Sequence, residues 1–131
     1  MERPSRPMTR PGNPRADNSA CAAGATEEAN GDLLQACARL FWFTGERKYL
    51  DWAIRLGDCY LLGTNHPTRD LKQLRLGDHG CEVINGLTEL YFAVAQVLPA
   101  KKLAYEKPMH EMFDGILEKG RKLGAQLLNC Q

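Results

Sequence analysis

The sequence predicts an all-α protein, two stacked antiparallel helical hairpins, and three observations carry that prediction. Apolar residues recur at helical spacing in four separate runs, no stretch alternates with period two for long enough to make a strand, and the second pair of runs repeats the first. The first run, from Glu27, carries Leu33, Leu34, Cys37, Leu40 and Phe41 and stops at Thr44-Gly45-Glu46, where glycine supplies a helix C-terminus. The second places Tyr49, Trp52, Ala53, Leu56 and Tyr60 on one face. Val83, Ile84, Leu87, Leu90, Tyr91 and Val94 form the third, which ends at Pro99. The fourth holds Met109, Met112, Phe113, Ile116 and Leu117, with Pro108 expected in its first turn, where a missing N–H is harmless.

The faces of these helices differ. The first is apolar nearly all round, from Leu33 through Phe41, Trp42 and Phe43, and the third matches it, which predicts burial on most sides. The second and fourth are amphipathic, exposing Arg47, Lys48, Asp51, Arg55 and Asp58 on one and Glu106, Lys107, Glu111, Asp114 and Glu118 on the other. The order reads inner, outer, inner, outer. An offset of 50 residues pairs Leu33 with Val83, Leu40 with Leu90, Trp42 with Phe92, Asp32 with Glu82, Gln35 with Asn85 and Arg39 with Glu89. This is a degenerate repeat of hairpins, each leaving an apolar side for a neighbour.

Composition bounds what such a protein does. With 131 residues the chain makes one small domain, and a net charge of +1 excludes the basic field of a dedicated nucleic-acid binder. No apolar run is long enough to span a membrane. Residues 1–26 hold four of the seven prolines and four arginines, a composition that predicts a disordered tail ahead of a domain from 27 to 131. The stretch Ala20–Ala25 is too short for a signal-peptide core, so no signal peptide is visible and the localisation reads as cytoplasmic or unknown. Five widely spaced cysteines without a C-x-x-C pair, and no H-x-x-x-H spacing, predict inert thiols and neither metal nor cofactor.

Polar residues on the inner helices are organised. Asp32, Gln35 and Arg39 follow i, i+3, i+7, as do Glu82, Asn85 and Glu89, so each set lines one stripe. The stripes are expected either to face a hydrated lumen or to pair with each other across a wet groove. The connection Gly63–His79 is long for packed helices and carries Asn65, His66, Arg69, Asp70, Arg75, Asp78 and His79. Of its histidines, His66 before Pro67 reads as structural or exposed, as does His110 on the fourth helix. If the inner helices run parallel, Asn30 and Asp32 lie beside Asp78, His79 and Glu82. Carboxylates held at different depths there would divide acid and base work.

The stretch Thr44-Gly45-Glu46-Arg47-Lys48-Tyr49-Leu50-Asp51-Trp52-Ala53 after an inner helix, with Asp78-His79-Gly80-Cys81-Glu82 opening the next, resembles the hairpins of the six-hairpin glycosidase superfamily, the (α/α)6 toroids. The resemblance runs from about Glu27 to Arg121 and implies part of an α/α toroid, four helices being about a third of such a ring. It implies a carbohydrate-active, glycoside hydrolase-like unit with a glycan substrate. Asp32, Asp78 and Glu82 would be its catalytic carboxylates, and Asn30, His79, Gln35, Asn85, Glu89 and Arg75 its substrate-binding groups. A partial ring would need further hairpins or self-association to cover its apolar edges and would be inactive alone. The alternative is a non-enzymatic helical-repeat module that docks a protein partner.

Overall fold

The computed structural model describes residues 26–70 and 81–129, which form four α-helices. They are α1 (Glu27–Thr44), α2 (Arg47–Leu61), α3 (Glu82–Val97) and α4 (Pro99–Asn129). The tail expected over 1–26 lies outside the described residues but for Thr26.

Several helix boundaries have a local cause. Thr26, in extended conformation, caps α1 by accepting the Ala29 N–H on its hydroxyl at 3.2 Å. Gly45 ends α1 with φ 71°, and its N–H reaches the Phe41 carbonyl at 2.8 Å. A side chain there would be strained, which is why glycine holds the left-handed position. Glu46 then turns the chain straight into α2. At the second hairpin only Leu98 separates α3 from α4, and Pro99 takes the first helical position. Pro108 therefore sits inside α4 rather than in its first turn. Both prolines satisfy the rule for that position; the sparse apolar residues between them hid the true start.

The central event of the fold is the pairing of α1 with α3. A Cβ on Gly31 would fall onto the backbone of Glu82 and Val83, and one on Gly86 would lie 2.6 Å from Leu34 Cβ and 2.8 Å from the Gly31 carbonyl. Two glycines thus let the helix backbones come into close approach. Moving up α1 from Gly31 to Leu34 to Arg39, the partners on α3 advance from Glu82 to Gly86 to Glu89. The two helices are parallel and in register, as the 50-residue repeat predicts.

Behind this pair α2 and α4 close the core. Leu34, Leu50, Leu87, Leu90, Tyr105 and Met112 are fully buried, each contributing about 1.5–3 kcal/mol of burial free energy. The burial predicted for the inner helices is incomplete, because neighbours cover only part of each. Leu33, Leu40, Trp42 and Phe43 of α1 are exposed, as are Phe92 and Val97 of α3. On α2 the buried face is led by Leu50, while Trp52 points outward. On α4 Phe113 and Leu117 are exposed, and beyond Leu117 the helix meets solvent through residue 126.

Polar ties fix α2 in place. Asn30, buried in the first turn of α1, donates to the Tyr60 hydroxyl at 3.0 Å. Asp58 is half-buried rather than exposed: it accepts from the Tyr105 hydroxyl at 2.5 Å and from Lys101 Nζ at 3.0 Å. Burial, reinforced by the Asp58 charge, pushes the Tyr105 phenol far above its ordinary value. An unfolded chain ionises that phenol near pH 10 while the folded chain holds its proton, so stability is complete below about pH 10 and falls as pH rises past it. Urea titrations from about pH 8 to 11 should show this alkaline loss in the wild type and a flatter profile in Tyr105→Phe.

Among the described residues no helix is long and apolar enough to cross a membrane. Cys37 and Cys59 are buried thiols, and burial raises the Cys37 pKa. That buried, protonated state is the inert one.

Candidate functional site

Parallel packing of α1 and α3 carries the two polar stripes onto one face. Gln35 Nε2 donates to the Glu82 carboxylate at 2.6 Å and approaches the Glu82 carbonyl at 3.3 Å. One turn on, Arg39 engages both oxygens of Glu89, at 2.7 and 3.1 Å, and donates back to Gln35 Oε1 at 3.0 Å. The hydrogen bond and charge of Glu89 raise the Arg39 pKa, so the fork is charged at any working pH. Glu82–Gln35–Arg39–Glu89 is a continuous ladder across the helix pair. Of the two sequence expectations, pairing across the groove is the one observed.

Asp32 and Asn85 flank this ladder, are exposed, and hydrogen-bond to no described residue. Asp32 lies more than a turn inside α1, which starts at Glu27, so it is not a helix-terminal acid. Glu82 is the first residue of α3. Asn30 is turned into the core against Tyr60 and does not reach the face. Arg75, Asp78 and His79 lie outside the described residues.

The strip extends past its polar section. Trp42, at i+7 from Gln35, and Phe92, at i+7 from Asn85, continue the same stripes and are more than half exposed. They are equivalent under the 50-residue repeat, a signal already present in the sequence. The face therefore grades from carboxylates near the helix N-termini, through amides and an ion pair, to two aromatic rings. Among the described residues Asp32, Glu82 and Glu89 set three carboxylates on this face against the guanidinium of Arg39.

The described first half of the long connection does not join this face. It docks on α4 instead. His66 is fully buried and its Nε2 lies 2.8 Å from the Pro108 carbonyl, while Nδ1 accepts the Arg69 N–H at 3.2 Å. Those contacts require the neutral Nε2–H tautomer. Asp70 closes the turn by accepting the His66 N–H at 2.9 Å, and that backbone bond holds its carboxyl below the usual range. Arg69 reaches Glu111 at 3.2 Å, and Gly115 packs against Thr68. His66 is thus structural, and His110 is exposed. Among the described residues no three His, Cys, Asp or Glu side chains are grouped to hold a metal ion.

No protein-family model, curated protein or solved structure matches the chain.

Proposed function

We propose that this chain is a hairpin pair of a carbohydrate-active, glycoside hydrolase-like α/α toroid that presents the α1–α3 strip to a glycan. The supporting observation is the grading of that strip, from acids at one end to exposed aromatic rings at the other. Trp42 and Phe92 would stack on the apolar faces of sugar rings, while Asn85 and the outer edges of Gln35 and Glu89 would meet hydroxyls. Asp32 and Glu82 take the carboxylate role, Asp78 lying outside the described residues; acid–base hydrolysis of a glycosidic bond needs two such groups at a set separation. Binding without turnover is the expectation for this chain alone.

Calorimetric titration with neutral and acidic oligosaccharides tests the reading. Trp42→Ala should weaken binding about tenfold, the worth of one aromatic stacking contact, with unchanged circular dichroism. Absence of heat across the panel overturns the proposal. The exposure of Leu33, Leu40 and Phe43 favours a second reading, a helical-repeat module that docks a protein. Under that reading the chain captures a peptide and ignores sugars.

A further inference from the structure

We infer that copies of this chain associate head to tail, the open flank of α1 in one copy seating the open flank of α3 in another. The argument begins from the repeat. A shift of 50 residues maps α1 onto α3, and these helices already form one interface inside the chain. In it α1 uses the flank of Leu34, Gln35 and Ala38, and α3 uses the flank of Glu82, Val83 and Gly86. Each helix therefore has one flank engaged and the equivalent of its partner's flank left over.

Those leftover flanks are open. Leu33 is 49% exposed where its equivalent Val83 is 2% exposed, and Leu40 is 41% exposed where Leu90 is fully buried. On α3, Asn85 is exposed where Gln35 is half-buried, and Thr88 is half-buried where Ala38 is sealed. Exposure follows the missing neighbour rather than the residue type.

The polar pairs select a second copy as the occupant. Carried forward by one repeat, the Gln35–Glu82 hydrogen bond becomes Asn85 of one copy with Asp32 of the next. Again an amide meets a carboxylate, and these are the two groups on the face that engage no described residue. The Arg39–Glu89 positions carried forward bring Glu89 of one copy to Arg39 of the next, so that opposite rather than like charges meet there, each already paired within its own chain. Apolar Leu33 and Leu40 then cover Thr88 and its neighbours. The close glycine approach is not regenerated, since Cys81 and Ala36 stand at the positions of Gly31 and Gly86. The contact between copies is accordingly weaker than the one within the chain. Its two surfaces differ, so association is heterologous and propagates beyond a pair.

Sedimentation velocity on the whole chain up to about 0.5 mM tests this, since even a sub-millimolar contact is populated there. The wild type should grow in mass with concentration. Leu40→Asp, which spoils the α1 flank, and Thr88→Arg, which spoils the α3 flank, should each remain monomeric with unchanged circular dichroism. Mixed in equal amounts, the two variants should give a dimer and nothing larger, because each keeps the flank that the other lacks. Asn85→Lys serves in place of Thr88→Arg if the latter misfolds. A wild type that stays monomeric overturns the inference, as does a mixture that stays monomeric or a Thr88→Arg variant that assembles like the wild type. The inference rests on the repeat and not on the glycan reading, so a sugar-inert chain leaves it standing.

Discussion

Gly31→Ala should cost about 3 kcal/mol of folding stability. In an ordinary helix the same substitution is favourable by roughly 0.5–1 kcal/mol, because alanine loses less backbone entropy than glycine. Here the new Cβ lands on the backbone at Glu82 and Val83, which cannot rotate aside. The only relief is to separate α1 from α3, and separation breaks the Gln35–Glu82 bond and opens the core at Leu34. Gly86→Ala should act in the same direction, since the Leu34 Cβ at 2.6 Å and the Gly31 carbonyl at 2.8 Å are both held by the backbone. Gly120→Ala is the internal control. Nothing lies within 4 Å of the Cβ it would add, so it should stabilise by about 0.5–1 kcal/mol. Urea denaturation of the three variants checks the whole set; a neutral Gly31→Ala would refute the close crossing.

Replacing His66 by leucine should destabilise the protein by about 2–4 kcal/mol although leucine is apolar and the site is fully buried. The imidazole is a two-ended connector. It joins the Pro108 carbonyl on α4 to the N–H groups of Arg69 and Thr68 in the connection, at 2.8, 3.2 and 3.4 Å. Leucine fills the volume and satisfies none of them. The loss should be accompanied by faster proteolysis within residues 62–70, while α1 and α3 retain their helical signal. His66→Asn should recover part of the loss by supplying one donor and one acceptor. Equal stability of the leucine variant and the wild type would show that the connection is held by other contacts.

The parallel pairing of α1 and α3 was legible in the sequence because the repeat aligns polar with polar and apolar with apolar over both inner helices. The α1 stop was legible as well, since only glycine adopts the left-handed turn at position 45 without strain. The start of α4 was not. Two prolines fit the same rule, and Ala100, Leu103 and Ala104 make too thin a stripe to decide between them. Burial was overestimated for Trp42, Phe43 and Phe92 because an all-round apolar helix implies neighbours on every side, and the described residues provide them on only some. For the candidate site, the stripes correctly gathered Gln35, Glu82, Arg39 and Glu89. Asn30 was misplaced: its side chain faces α2, and residue spacing alone does not tell which neighbour a first-turn amide will find. The glycines at 31 and 86 passed unnoticed because a small residue carries no periodic signal of its own.

The far end of α4 has a mechanical consequence. Between Tyr105 and Met112 the helix is clamped by core side chains, but from Leu117 through residue 126 the interactions seen among the described residues are its own hydrogen-bond ladder and the ion pairs that Glu118 makes with Arg121 and Lys122. Short helices without tertiary support are marginal in water. One continuous rod thus has two regimes: a root held by core packing, and a distal stretch whose persistence rests on helix propensity, which is what a methyl added at Gly120 would reinforce.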